Sequence, residues 1–286
     1  MVAGIKRITN IFGMKNFKIK PVPLLVIALL ITGLFCCRKL EYSPYQTENP
    51  DRPLNLNAKN ITKLMDTESA ANDTVTILYI GDTHRFYDEL NALVSHANTL
   101  PQIDFLVLAG DITDFGMLEQ YLKIYTLLQK LNVPYICAIG NHDLTTNGAD
   151  VYAHMFGEKN FSFTYKGYKF LFHDTNGREY KFIGNVPNIY WLTSQLIDTT
   201  SRWFIGVSHV PPYSTDFDKS LEYPYVNLFA SKPNFILSLH GHLHVAGDSH
   251  YYKDGVRYMT CNSVEKKNST LLTLINGNIT KQMIPY

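Results

Sequence analysis

The stretch Thr74–His84 reads TVTILYI and then Gly81-Asp82-Thr83-His84. Its first seven residues are apolar or β-branched without polar alternation, the composition of a strand buried on both faces. The chain then breaks at a glycine and sets a carboxylate and an imidazole two residues apart, just past the strand end. Two more strands end the same way. Ile103–Ala109 (IDFLVLA) runs into Gly110-Asp111-Ile112-Thr113-Asp114, and Tyr135–Ile139 (YICAI) runs into Gly140-Asn141-His142-Asp143. Between them, Phe86–Thr99 sets Phe86, Leu90, Leu93 and Ala97 at helical spacing, and Met117–Leu131 does so with Leu118, Tyr121, Leu122, Tyr125 and Leu128. The order β-α-β-α-β predicts a parallel sheet with right-handed crossovers.

Further along, Phe161–Tyr165 and Lys169–His173 flank Lys166-Gly167-Tyr168, a hairpin signal. Trp203–Ser208 (WFIGVS) and Phe235–Leu239 (FILSL) read as two more buried strands. The C-terminus predicts a β-meander, with strands near 247–253, 256–263, 269–275 and 278–284 and turns at Lys253-Asp254-Gly255 and Asn276-Gly277-Asn278. An α/β half is therefore expected to precede a β-rich half.

The last two buried strands also end in polar clusters: His209-Val210-Pro211-Pro212, and, past His240, Gly241-His242-Leu243-His244. Open α/β sheets bind ligands outside the carboxyl ends of their strands. Any one cluster is ordinarily a turn or a surface pair. Five in register with five strand ends converge on one crevice. Their donors are carboxylate, imidazole and one amide, with no thiolate, a set suited to hard and borderline divalent ions. Seven candidate ligands exceed one closed tetrahedral site and suit two adjacent ions sharing a bridging carboxylate.

The series Asp82-x-His84, Gly110-Asp111-x-x-Asp114, Gly140-Asn141-His142-Asp143, His209 and Gly241-His242-x-His244 resembles the calcineurin-like metallophosphoesterase superfamily. The likeness spans residues 75 to about 265. It implies a four-layer αββα sandwich, a dinuclear site and hydrolysis of phosphoesters. By that resemblance Asp82, His84, Asp111 and His244 hold one metal, and Asp111, Asn141, His209 and His242 hold the other. The metals would be divalent or mixed-valence Mn, Fe or Zn. His142 then acts as general acid towards the leaving oxygen, and the carboxylate of Asp114 orients it. Asp143 reads only as a loop or turn residue. Protein serine/threonine phosphatases carry Arg after the Asp114 position and Glu at the Asp143 position; Phe115 and Asp143 stand here. The pattern is closer to the small bacterial phosphodiesterase branch, which includes class III cyclic-nucleotide phosphodiesterases. A non-catalytic member of the fold, or a nuclease or nucleotidase, is the alternative.

The 286 residues carry 26 Lys+Arg against 25 Asp+Glu, and 45% are apolar, which excludes a disordered chain. Residues 1–37 hold five basic residues and no acidic one, leaving 38–286 with a net charge of −4. That balance argues against strong nucleic-acid binding; the family resemblance implies a small phosphoester as the partner. The basic stretch precedes an apolar run, Val22–Cys37, which reads as a signal peptide or membrane anchor placing the body at the cell envelope. Cys36 or Cys37 could carry a lipid, the segment could stay uncleaved behind Arg38 and Lys39, or the product could be secreted freely. Met14 offers an alternative start. Residues 38–72, rich in Asn, Pro and Ser, read as a linker with one short helix at 60–66, before a domain over 73–286. Cys137 and Cys261 lie in apolar runs and are expected to be small core residues.

Overall fold

The structure, a computed structural model, describes residues 26–27, 43–68 and 73–286. Met14, Cys36 and Cys37, and with them the signal, lipid-anchor and alternative-start readings, lie outside these residues. Among the described residues no helix is long and apolar enough to cross a membrane. Residues from Pro44 onward form one unit. It begins with α1 (Leu56–Met65), β1 (Val75–Ile80), α2 (Tyr87–Ala97), β2 (Phe105–Ala109), α3 (Leu118–Leu128) and β3 (Tyr135–Ala138). There follow α4 (Gly148–Met155), β4 (Phe161–Tyr165), β5 (Tyr168–Phe172), α5 (Ile189–Leu196), β6 (Trp203–Val207), α6 (Lys219–Ala230) and β7 (Phe235–His240). The chain closes with β8 (Gly247–Ser249), β9 (Arg257–Thr260), β10 (Asn268–Ile275) and β11 (Asn278–Pro285).

The strands build two sheets, ordered β11-β10-β1-β2-β3 and β4-β5-β6-β7-β9-β8. β1, β2 and β3 are parallel, as are β5, β6, β7 and β9. Alternate residues of the first sheet face opposite ways. Ile77, Tyr79, Phe105, Val107 and Ile136 meet Phe170, Phe172, Ile205, Val207 and Leu239 of the second sheet in one buried cluster. Leu78, Ile80, Leu106, Leu108 and Cys137 face the other way, onto α2, α3 and α4. On the far face of the second sheet, Leu171, Phe204, Phe235 and Tyr258 pack with Leu192 of α5 and Tyr225 and Phe229 of α6. The layers are helix, sheet, sheet, helix: the αββα sandwich expected from the sequence. Cys137 and Cys261 are buried free thiols.

Three expectations are corrected. The C-terminal strands are not one meander: β8 and β9 join the second sheet, while β10 pairs antiparallel with β1 and with β11 in the first. Residues 261–267, with buried Val264, carry the chain between sheets, so β9 and β10 do not pair. The C-terminal half also contributes α5 and α6, because the second sheet's outer face needs an apolar cover. Lastly, the short helix expected at 60–66 is present but spans Leu56–Met65, and it packs onto the domain instead of belonging to a tether. Leu64 of α1 is fully buried, and Asn57 brackets β3 with hydrogen bonds, its amide donating to the Cys137 carbonyl (3.0 Å) and its oxygen accepting from the Cys137 N–H (2.9 Å). The expected turn at Asn276-Gly277 is present as the two-residue loop of the β10–β11 hairpin, both residues with positive φ (49° and 79°), the conformation that turn requires.

Candidate metal centre

All five polar clusters lie past the C-terminal ends of β1, β2, β3, β6 and β7. The loops are stitched together through their backbones. Asp82 N–H donates to the Gly110 carbonyl at 3.1 Å, and the N–H groups of Thr83 and His84 donate to the Asp111 carbonyl at 2.9 and 3.2 Å. Asp82, His84, Asp111, His242 and His244 all have φ between 42° and 70°. A non-glycine residue in the left-handed region costs of order 1 kcal/mol or more and persists where the surroundings enforce it, often at functional sites. Here it lets successive side chains turn into one crevice.

The sequence-predicted ligands meet in two groups joined at Asp111. In the first, donor atoms of Asp82, His84, Asp111 and His244 all lie within 4.8 Å of one another. His84 Nε2 is 3.3 Å from His244 Nε2 and 3.6 Å from Asp111 Oδ2, and His244 Nε2 is 3.3 Å from Asp82 Oδ1. In the second, His209 Nε2 is 3.2 Å from Asp111 Oδ2 and 3.0 Å from Asn141 Oδ1, which lies 3.1 Å from His242 Nδ1. Asp111 Oδ1 is engaged separately, accepting the His142 N–H at 2.9 Å. Oδ2 alone therefore faces both groups.

These residues fit metal ions on their own terms. Asp82 is fully buried and its Oδ2 has no hydrogen-bond partner. An isolated buried carboxylate is strongly disfavoured unless a cation compensates it. The arginines beside the site serve other groups: Arg85 Nε pairs with Asp114 Oδ2 at 2.6 Å, and Arg178 with Asp216 at 3.2 Å. Burial, outweighing the pull of Asp111 and Asp82, holds His84 below the ordinary histidine range; burial and His209 do the same for His242. Both are thus neutral imidazoles, the form that ligates. For His209 burial opposes the charge, but the adjacent Asp111 carboxylate prevails and raises it to about 10. His209 Nδ1–H donates to the Ala109 carbonyl at 2.8 Å, leaving Nε2 as its inward atom.

His142 stands at the open edge, its ring 4.7 Å from that of His84. Its orientation differs from expectation. Nδ1–H donates to the backbone carbonyl of Asp114 at 2.8 Å, whereas the Asp114 carboxylate is 3.6 Å away and bonded to Arg85. The main chain therefore sets the imidazole, and the carboxylate supplies nearby negative charge. A cavity of about 420 Å³ opens here, lined by His84, Arg85, Phe86, Asp114, His142 and His244. Arg85 also lies over the Phe115 ring at 5.1 Å.

Asp143 and Asp216 have larger roles than the sequence indicated. Asp143 is fully buried and accepts from Ile112 N–H (3.0 Å), Thr113 N–H (2.8 Å), Thr113 Oγ1 (2.9 Å) and Gly140 N–H (2.9 Å), clamping the loops after β2 and β3 together. The signal available was its place beside Asn141 and His142. Asp216 Oδ2 lies 3.1 Å from His242 Nε2; nothing in its local sequence marks it. His240, which adjoins the site in sequence, is instead buried behind it between Ser208 Oγ (3.0 Å) and Ser238 Oγ (2.9 Å).

Known proteins share parts of this sequence and its fold. A protein described as a probable cyclic nucleotide phosphodiesterase from Xenorhabdus bovienii is 30% identical over 70 residues, 24% of this chain and 28% of that protein. Another so described, from a Psychrobacter species, is 27% identical over 133 residues, 40% of this chain and 38% of that protein. The chain thus aligns with well under half the length of either relative. Among solved structures, a dimetal phosphatase from Danio rerio shares the fold, with a TM-score of 0.56 at 13% identity, covering 74% of this chain and 99% of that one. The calcineurin-like phosphoesterase profile matches residues 75–246, more than half of the sequence and all five clusters, and the chain belongs to that family.

Proposed function

We propose that this chain hydrolyses small phosphodiesters, using two divalent ions that share Asp111. The observation that carries the reading is the position of Asp111 Oδ2, 3.6 Å from His84 Nε2 on one side and 3.2 Å from His209 Nε2 on the other. Asp82, His84, Asp111 and His244 would hold one ion; Asp111, Asn141, His209 and His242 would hold the other. Ions bound there supply Lewis acidity towards the phosphoryl oxygens and make water nucleophilic near neutral pH. The protein's part is positional. Asp111 Oδ1, tied to the His142 N–H, fixes the bridging carboxylate against the loop after β3. With His142 Nδ1–H committed to the Asp114 carbonyl, Nε2 is the atom that faces substrate. As a water-derived oxygen bonds to phosphorus, the bond to the leaving oxygen breaks and the His142 Nε2 proton passes to it. The Asp114 carboxylate lies 3.6 Å from His142 Nδ1, on the side away from Nε2.

The cavity beside His142 falls within the usual range of small-molecule sites, roughly 300–1,000 Å³, which favours a small substrate over a polymer. The descriptions of both bacterial relatives support a diester, with cyclic nucleotides the first class to test. The basic stretch and apolar run of residues 1–37 support the further proposal that the domain works at the cell envelope.

The test compares bis-p-nitrophenyl phosphate with 3′,5′-cyclic AMP in the presence of Mn²⁺. Asp111→Asn is expected to abolish both activities. His142→Ala should cost about 10²–10⁴-fold on the cyclic nucleotide, and much less on the aryl ester, whose leaving group needs no proton. A Mn²⁺-loaded wild type inert on diesters and monoesters alike would overturn the reading.

A further inference from the structure

The histidines of the metal centre differ in what holds their outward nitrogens. His209 Nδ1 donates to a neutral backbone carbonyl, that of Ala109. His242 instead presents Nδ1 to Asn141 Oδ1 and turns Nε2 onto the carboxylate of Asp216 at 3.1 Å. Asp216 is in turn gripped by Arg178, whose Nη1 lies 3.2 Å from both carboxylate oxygens, and its backbone N–H is held at 3.2 Å by Ser214 Oγ. His242, Asp216 and Arg178 come from the loops after β7, β6 and β5. A matching couple stands across the crevice. Asp114, bonded to Arg85, lies 3.6 Å from His84 Nδ1, a buried nitrogen with no hydrogen-bond partner of its own. Each half of the centre thus has an aspartate–arginine couple behind one histidine. The contact is within hydrogen-bond reach only at His242.

We infer that Asp216, steadied by Arg178, is a positioning residue for the second ion, which fixes His242 in the tautomer that ligates through Nδ1. The inference rests on the two-ion reading above. A neutral imidazole has one N–H and one lone pair, so an acceptor at Nε2 forces the lone pair onto Nδ1, the atom directed at Asn141 and the site. The anionic acceptor makes Nδ1 a stronger donor. Arg178 offsets that charge and stops Asp216 from swinging into the crevice as a ligand itself. Such outer partners typically account for about 10–100-fold in metal affinity. Among the described residues, Asp216 is not part of the cluster formed by Asp82, His84, Asp111 and His244.

The test is Mn²⁺ titration of the metal-free full chain, followed by calorimetry and by electron paramagnetic resonance, which separates a coupled Mn pair from a lone ion. Wild type should bind two ions and show the coupled signal. Asp216→Ala should keep the first affinity within about twofold and weaken the second about 10–100-fold, with a lone-ion spectrum at two equivalents. Asp216→Asn, nearly isosteric and still an acceptor at one oxygen, should fall between the two and guards against a folding artefact. Two ions bound to Asp216→Ala with wild-type affinity would overturn the inference and leave the two-ion reading standing. Fewer than two ions in wild type would overturn that reading itself.

Discussion

Replacing Asp143 by alanine should unfasten the site from behind without touching a proposed ligand. Its carboxylate accepts three backbone N–H groups, from Ile112, Thr113 and Gly140, at 2.8–3.0 Å, in a position with no solvent exposure. A buried donor left without its partner costs about 1–3 kcal/mol. Three such donors give about 3 kcal/mol at the low end, the appropriate end because water can enter part of the vacated volume. For a unit of this size each kcal/mol lowers Tm by roughly 2–4 °C, so Asp143→Ala should melt roughly 6–12 °C below wild type. Asp143→Asn keeps an oxygen towards Thr113 but turns an NH₂ on the Ile112 and Gly140 donors, and should lose about 2 kcal/mol. Thermal and urea unfolding of metal-free protein measure both. Because the clamped loops carry Asp111 and Asn141, Mn²⁺ affinity should fall as well. A Tm within about 2 °C of wild type for Asp143→Ala would refute the clamp.

Three further outcomes follow from particular contacts. Gly110 has φ +85° and a methyl there would meet His209 Nδ1 at 2.6 Å, so Gly110→Ala should displace His209 and reduce bound Mn²⁺ from two ions to one, read by elemental analysis. Leu64 is fully buried, so Leu64→Ala should cost about 2–5 kcal/mol in urea unfolding; a surface tether would lose almost nothing. Burial pushes His173 down to about 4, its Nδ1 bonded to the Leu171 carbonyl at 2.9 Å and its Nε2 to the Tyr225 hydroxyl at 2.8 Å. The unfolded chain takes up that proton first, near pH 6.5, so this contribution is intact above about pH 6.5 and is lost as pH falls towards 4. It amounts to at most about 3 kcal/mol, and His173→Gln should flatten this limb of the stability–pH curve.

Strand ends were legible because β1, β2 and β3 are unbroken apolar runs closed by glycine, and the register of the chemistry with those ends made the crevice readable. Which sheet each late strand joins was not legible. Composition marks Arg257–Thr260 and Asn268–Ile275 as strands, but only packing of the 261–267 crossing separates them. The helix expected at 60–66 begins earlier, at Leu56, and its packing was hidden by its asparagines, since Asn57 and Asn60 look like linker residues until their buried hydrogen bonds are seen. Helix α6 holds Pro224 inside it, a residue that normally argues against a helix. Asp216 sits in a Ser-Thr-Asp-Phe-Asp loop with no pattern of its own, and only the tertiary fold brings it to His242. Asp114 lies beside His142, but its carbonyl rather than its carboxylate holds the ring, a distinction that sequence cannot carry.

The most direct test is a crystal structure of the Mn²⁺-loaded protein, phased on the anomalous signal of the metal. Two peaks per chain are expected, roughly 3.5–4 Å apart, with Asp111 Oδ2 between them, Asp82, His84 and His244 around one, and Asn141, His209 and His242 around the other. A single peak, or two peaks that do not share Asp111, would contradict the account.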